Sequence, residues 1–285
     1  MKEASYYIKK DELTVLCTLC PKVCSIAPFE YGFCMSRKNI SGTLFAENYG
    51  QISSLALDPI EKKPLFRFMP GSTILSLGLY GCNMNCPFCQ NHRISRIKPD
   101  VEYKSVEEIV RLAIDLKKHG NIGVAYTYNE PLTGYEYVLD CCKAVKASGL
   151  KNVLVSNGFI SLKPLDELLP FVDAANIDLK CYNKEKYKEV LGGELEVVKN
   201  NIARIHKAKV HLEITMLIVP GISDDPGEFE EVVNFIAGLS RDIPLHLTRY
   251  FPAHNYRKSP TDLNVIYQLK HIADKHLKTV YLGNV

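Results

Sequence analysis

Short apolar runs alternate with segments of helical period along most of the chain. Thr73-Ile74-Leu75-Ser76-Leu77-Gly78-Leu79-Tyr80 is apolar enough to read as a buried strand. Ser105-Val106-Glu107-Glu108 is a capping box, and apolar residues recur at Val106, Ile109, Val110, Ala113 and Leu116 until Gly120 ends the helix. The pattern then predicts a strand over 122–126, a helix over 133–148 stopped by Gly149, a strand over 153–155 and a helix around 164–169. It continues with a strand over 175–179, one or two helices across 184–207 and a strand over 212–219. Asp225-Pro226-Gly227-Glu228 opens a further helix with a cap, a first-turn proline and a capping-box carboxylate. A strand over 245–247, a helix over 260–276 and the segment 279–282 finish the chain. Strands alternating with helices in this way predict parallel βα units, about six of them.

The amino-terminal quarter lacks that rhythm. Residues 37–70 read as irregular structure with short strands at Gly42–Ala46 and Gln51–Ala56. Asp58-Pro59-Ile60-Glu61-Lys62-Lys63-Pro64-Leu65 is charged and proline-bracketed, which predicts a loop whose Lys62 and Lys63 either line an anionic partner's path or, as such pairs commonly are, stand solvated. Met69-Pro70-Gly71-Ser72 is a turn that delivers the chain to the strand at Thr73. Two regions are therefore expected: a cysteine-rich extension over 1–70 and an α/β core over 71–285.

Composition narrows the class. The chain has 285 residues, 46% apolar and 24% charged, as ordinary soluble globular proteins do. A formal charge of +3 argues for neither nucleic acid nor membrane as partner. No apolar run approaches the ~20 residues of a membrane span, and Met1–Glu12 has no apolar core, so no signal peptide is expected. Ten cysteines cluster in metal-like spacings, which points to a reducing cytoplasm and not to a disulfide framework.

Two of those clusters carry chemistry. Gly81-Cys82-Asn83-Met84-Asn85-Cys86-Pro87-Phe88-Cys89 follows the first core strand and sets three thiols at C-x3-C-x2-C. Structural zinc takes four protein ligands, commonly in two separated pairs, and a fully ligated iron–sulfur cluster also takes four cysteines. Three thiols in one loop suggest a [4Fe–4S] cluster with one iron open for chemistry; a zinc loop or three unrelated core cysteines are the bland alternatives. The second set, Cys17, Cys20, Cys24 and Cys34, falls at C-x2-C-x3-C-x9-C and makes a complete ligand set for one metal. A structural zinc pinning a short arm and an auxiliary Fe–S cluster are equally compatible with it. Cys141, Cys142 and Cys181 have no partner at a metal spacing and read as packing.

The C-x3-C-x2-C loop, with the aromatic Phe88 just before its last cysteine, resembles the radical S-adenosylmethionine (SAM) superfamily. The resemblance implies an open, partial (β/α)6 barrel whose strand carboxyl ends form the site. It implies that the open iron chelates SAM and that reductive cleavage gives a 5′-deoxyadenosyl radical, which abstracts hydrogen from an unidentified substrate. The strand-end motifs are similar to those of glycyl-radical activases. Thr127-Tyr128-Asn129-Glu130-Pro131 keeps the Glu-Pro of their Gly-Gly-Glu-Pro and replaces both glycines, which makes Glu130 a SAM contact. Ser156-Asn157-Gly158 resembles their Thr-Asn-Gly and places Asn157 beside the ribose, and Ile177-Asp178-Leu179-Lys180 resembles their Asp-Leu-Lys, with Asp178 and Lys180 on one strand face. His246, Arg249 and His254 are candidates for substrate contacts.

Taken together, the Cys-Thr-Leu-Cys-Pro segment, Asp-Pro-Ile-Glu-Lys-Lys-Pro-Leu, the cluster loop, Thr-Tyr-Asn-Glu-Pro and the terminal Tyr-Leu-Gly-Asn-Val resemble the radical SAM enzyme of the AmmeMemoRadiSam system, a pyruvate formate-lyase activating enzyme-like family. That likeness implies partners of the Memo and AMMECR1 types and an electron donor of flavodoxin or ferredoxin type, without supplying a substrate. It also implies a further cysteine-bearing tail in many members, whose role here is expected to be missing or supplied elsewhere. Two other functions stay open on the residues: an activating enzyme that installs a glycyl radical on a partner, and a zinc-binding interaction module built on seven cysteines.

Overall fold

The computed structural model describes residues 1–285. Its centre is an eight-stranded sheet: β1 (Ser54–Pro59), β2 (Thr73–Gly78), β3 (Asn121–Tyr126), β4 (Lys151–Ser156), β5 (Ala174–Asp178), β6 (His211–Ile218), β7 (Leu245–Arg249) and β8 (Val280–Gly283). Spatial order follows chain order. Strands β2 to β8 are parallel, while β1 pairs antiparallel with β2 at the edge. Since β1 and β8 do not pair, the barrel stays open, as a partial (β/α)6 radical SAM barrel does.

Helices cover the outer face: α1 (Val106–Asp115), α2 (Tyr135–Ala147), α3 (Leu162–Leu168), α4 (Lys184–Glu189), α5 (Leu195–Lys207), α6 (Pro226–Leu239) and α7 (Leu263–Asp274). Their starts are those the caps predict. Ser105 Oγ accepts from Glu108 N while Glu108 Oε2 accepts from Ser105 N, and Asp225 Oδ1 accepts from Glu228 N. The main core lies between strands and helices, joining strand residues such as Leu75, Leu77, Val124 and Ile214 to helix residues such as Ile109, Val138, Ile202 and Phe229. A smaller apolar cluster of Ile60, Leu65, Ile74, Ala125, Val153 and Ala174 fills the inner side, so the chain between β1 and β2 plugs the barrel.

That plug differs from the loop expected over 58–65. Asp58 belongs to β1, Ile60–Lys62 is a 3-10 turn, and Lys63 is only 3% exposed. Lys62 is solvated as expected, but Lys63 Nζ lies 2.9 Å from Asp58 Oδ2 and over the Tyr128 ring. A lysine is tolerated in the interior because its charge is paired and faces an aromatic surface. The expected strand 51–56 is also broken, into Gln51–Ile52 and β1, so a segment of the amino-terminal region joins the core sheet. Cys141, Cys142 and Cys181 are all fully buried.

The amino-terminal arm is made of two small antiparallel sheets, one of Tyr7–Lys9, Val15–Cys17 and Ser25–Ile26, the other of Lys2–Glu3, Thr43–Ala46 and Arg37–Ile40. It is clamped to α2. Arg37, 1% exposed, places Nη2 2.6 Å and 2.7 Å from the two Glu136 carboxylate oxygens, and Glu136 Oε1 also accepts from Ser5 N.

Candidate active site

The carboxyl ends of the parallel strands surround a cavity of about 620 Å³. Strand β2 delivers the cluster loop to it. Gly81 makes the loop possible: its φ of +97° is closed to most side chains, and a Cβ there would meet the Cys34 carbonyl oxygen at 2.5 Å. Cys82, Cys86 and Cys89 all line the cavity, with Met84 and Phe88. Phe88 is buried and packs edge-on against Tyr256. Burial pushes the Cys86 thiol up to about 11, with Lys180 pulling in the other direction, and burial beside Glu130 pushes the Cys82 thiol higher still. Buried thiols in this state are inert until a metal replaces the proton.

Glu130 lies in the cavity wall, 3% exposed, at the end of β3. Its oxygens accept from Ser156 Oγ (2.8 Å), Asn157 N (2.8 Å) and Leu132 N (3.1 Å). Burial raises its carboxyl to about 7, against the pull of those three donors. Asn157 lines the cavity too, but its side chain is committed inside the protein. Oδ1 accepts from Phe159 N, and Nδ2 donates to Asn83 Oδ1 at 2.9 Å with Cys82 Sγ at 3.8 Å. Asp178 and Lys180 face the cavity as an ion pair at 2.8 Å. Burial depresses the Lys180 amine, and Asp178 with the thiols Cys86 and Cys89 more than reverses this, so the charge is held firmly.

Three residues had no site role assigned from the sequence. Tyr128 occupies the position of a motif glycine and adopts φ +73°, the left-handed backbone that glycine would favour. Its hydroxyl donates to Asp58 Oδ2 at 2.7 Å, and this contact with the Asp58–Lys63 pair holds it there. Asn129 bridges the cluster loop, accepting from Leu79 N and donating to Gly81 O. Thr215, on β6, lines the cavity with a buried Oγ1 that has no hydrogen-bond partner. Of the three proposed substrate contacts, His246 reaches the cavity, though its Nε2 is 2.7 Å from Glu213. Arg249 Nε donates to Thr261 O, and His254 stacks on His92; neither lines the cavity.

The site can be tested against a cluster. No group of three or more His, Cys, Asp or Glu side chains is gathered closely enough to hold a single metal ion. The three loop thiols line one large cavity, with soft donors suited to iron–sulfur chemistry and an unpartnered Thr215 hydroxyl on the same cavity. Residues present thus fit a multi-iron centre beside a bound small molecule.

Such a barrel, with a three-thiol loop at its strand ends, defines a cluster-dependent enzyme class. The chain belongs to the radical SAM superfamily, whose family model matches residues 78–236. An uncharacterized protein of Methanocaldococcus jannaschii is 40% identical over 100% of this chain and 86% of its own length. The pyruvate formate-lyase 1-activating enzyme of Escherichia coli is 26% identical, over 60% of this chain and 71% of that enzyme. Among solved structures, a radical SAM methyltransferase from Sphaerobacter thermophilus superposes with a TM-score of 0.59 at 15% identity, covering 75% of this chain and 67% of that one, a likeness of fold alone. Family membership implies a [4Fe–4S] cluster and SAM. No helix is long and apolar enough to cross a membrane.

Proposed function

We propose that this protein cleaves SAM reductively and uses the product to abstract a hydrogen atom from its substrate. The observation that carries the reading is the convergence of Cys82, Cys86 and Cys89 with Glu130, Asp178 and Lys180 on one cavity. Cys82, Cys86 and Cys89 would hold the cluster. When bound, the cluster and SAM together supply one-electron scission of a sulfonium carbon–sulfur bond.

The chain's own residues bind, orient and exclude water. Lys180 presents a permanent cation to a carboxylate, and Asp178 fixes its direction through the 2.8 Å ion pair. The Glu130 carboxylate lies where an ammonium would offset the burial that now raises its proton affinity. Asn157 acts by position, tying Glu130, Asn83 and the Cys82 thiol into one hydrogen-bonded unit and not by offering a free amide. Thr215 Oγ1 is an available polar atom for the ligand.

Likeness to the Escherichia coli pyruvate formate-lyase 1-activating enzyme supports a second reading, in which the substrate is a protein glycine. Tyr128 retains the glycine-like backbone of the activase motif, which keeps this reading open despite the changed residue. Both readings require a one-electron donor of flavodoxin or ferredoxin type, and the family resemblance adds Memo- and AMMECR1-type partners. The test is anaerobic reconstitution followed by SAM and a strong reductant. Formation of 5′-deoxyadenosine, lost in Cys86→Ala, supports SAM cleavage; full cleavage by the Cys86→Ala variant refutes it. Repeating the assay with a co-expressed partner separates the readings: a radical signal on the partner favours activation, and a small-molecule product favours the first.

A further inference from the structure

Two segments that meet at the cluster loop carry one sign of charge. Residues 81–98 and 248–261 hold Arg93, Arg96, Lys98, Arg249, Arg257 and Lys258 and no Asp or Glu, in a chain whose formal charge is only +3. We propose that these segments form the docking surface for an acidic one-electron donor protein, which delivers its electron to the loop cluster. The inference rests on the radical SAM reading and names the partner surface that reading needs.

Direct contacts join the two segments. The chain after β7 sits on the cluster loop itself: Asn255 N donates to Pro87 O at 2.9 Å, and the Tyr256 ring packs against Phe88. Just past the last loop thiol, His92 Nδ1 lies 3.3 Å from Cys89 O, and the His92 ring stacks on His254 at 4.6 Å. The outer segment is itself anchored, since Tyr256 Oη donates to Pro220 O and Tyr250 Oη donates to Tyr256 O. Gln90 and Asn91, between Cys89 and His92, are exposed.

Charge is left free on this face. Arg93, Arg257 and Lys258 are exposed, and among the six cations only Lys98 has a carboxylate partner, Glu47. Arg96 is turned inward, donating to Phe33 O and Cys82 O. Burial holds the His254 imidazole below its usual value, and His92, Arg257 and Arg96 add to the effect, so these groups lie close together. Gathered cations repel one another until an anionic partner arrives, which steers that partner to the site. Ile97 and Phe251 are exposed apolar side chains in the same two segments, and the Arg249 guanidinium lies over the Phe251 ring. Aromatic and arginine side chains are what protein interfaces enrich.

Place and chemistry select the occupant. The surface borders Cys89 directly, so a protein docked on it lies against the loop that holds the cluster. That position suits a partner that exchanges an electron. Complementary charge makes the partner acidic, and the exposed Ile97 and Phe251 suit a folded protein better than a phosphate backbone. One electron leaves the reduced cofactor of a flavodoxin-class donor and one enters the loop cluster; no group is transferred.

The test uses the full chain, reconstituted anaerobically, with an acidic flavodoxin as the probe. Calorimetry is expected to show binding that weakens as salt is raised. Arg93→Glu/Arg257→Glu/Lys258→Glu alters exposed side chains without ion-pair partners, so the fold is retained. That variant is expected to bind flavodoxin about tenfold more weakly or worse, and its loop cluster to be reduced by flavodoxin more slowly to a similar degree. Reduction by photoreduced 5-deazaflavin, a small reductant that needs no docking, stays unchanged. Unaltered flavodoxin binding and reduction in the variant overturn the proposal, and so does equal slowing with both reductants, which places the defect in the cluster. Transfer RNA binding that the variant loses, while flavodoxin reduces both proteins equally, assigns the surface to nucleic acid and also overturns it. Flavodoxin binding lost in the variant, with no 5′-deoxyadenosine from the wild type under either reductant, overturns the SAM-cleavage reading and leaves the docking surface standing.

Discussion

Cys82 and Cys34 share a backbone hydrogen bond of 3.2 Å, so the first thiol of the barrel loop and the last of the arm are held at a fixed separation. Gly81 is what permits it, since any Cβ there collides with the Cys34 carbonyl and with Ser36 Cβ at 2.9 Å. Gly81→Ala is therefore expected to lower stability by about 2 kcal/mol or more, from a disfavoured φ and a clash with backbone. Anaerobic thermal unfolding and iron content check this together; an unchanged midpoint with full iron would show that the two segments move apart freely.

Arg37 and Glu136 form a buried pair joining the arm to α2, with side chains 1% and 3% exposed. Breaking it leaves a buried charge without its partner. Arg37→Met is expected to cost about 3–5 kcal/mol, measured by urea unfolding. Loss below 1 kcal/mol would mean that Glu136 finds water or a proton at little expense.

Glu213 gives the fold a defined acid limit. Burial would raise its carboxyl, but hydrogen bonds from His211, His246 and the amides of Arg67 and Phe66 bring it down to about 2 from 4.5. The native state thus binds this proton more weakly than the unfolded chain. The stabilisation is complete above pH 4.5 and is lost as pH falls towards about 2. Its size is about 3 kcal/mol. Comparing urea midpoints of wild type and Glu213→Gln from pH 6 downward isolates this contribution, because the variant lacks this titration; parallel curves would remove Glu213 as the cause.

Thr215 separates ligand binding from folding. Its Oγ1 has no partner to lose, so Thr215→Val is expected to leave stability within about 0.5 kcal/mol or to raise it slightly. SAM binding, measured by calorimetry on the reconstituted protein, should weaken by about tenfold if that hydroxyl contacts the ligand. Destabilisation with unchanged binding would assign the hydroxyl to the scaffold.

Tyr128 makes a graded series. Tyr128→Phe removes the hydrogen bond to Asp58 and should cost about 1.5–3 kcal/mol, the range for a bond to a charged group. Tyr128→Val should cost more, because a β-branched residue is poorly accommodated at φ +73°. Equal unfolding midpoints for the two variants would argue against backbone strain.

The strands at 122–126, 175–179 and 212–219 were legible because buried parallel strands are near-continuous apolar runs between helices with explicit caps. The loop was legible because thiol spacing is a local property. What escaped depends on partners distant in sequence. Lys63 looked solvated, since nothing near it reveals that Tyr128 and the edge strand enclose it. Tyr128 looked like a departure from a glycine motif, since φ is not written in the residue type. Glu213 left one signal, the one charged residue in the mostly apolar run Leu212–Val219, and such a residue calls for buried donors. The barrel and its thiol loop could therefore be read locally, whereas the orientation of Asn157 and the closeness of the two cysteine sets required the fold.

The Arg37–Glu136 clamp also sets an order on biogenesis. All four arm cysteines lie within the first 34 residues, but the guanidinium beside them meets its counter-ion 99 residues later in the chain. While the ribosome is still making α2, the arm has neither its clamp nor the α2 surface against which it packs. Seating of the arm on α2 therefore belongs after synthesis of the first 136 residues, and a chain that stalls earlier carries an arm whose buried cation has no counter-ion.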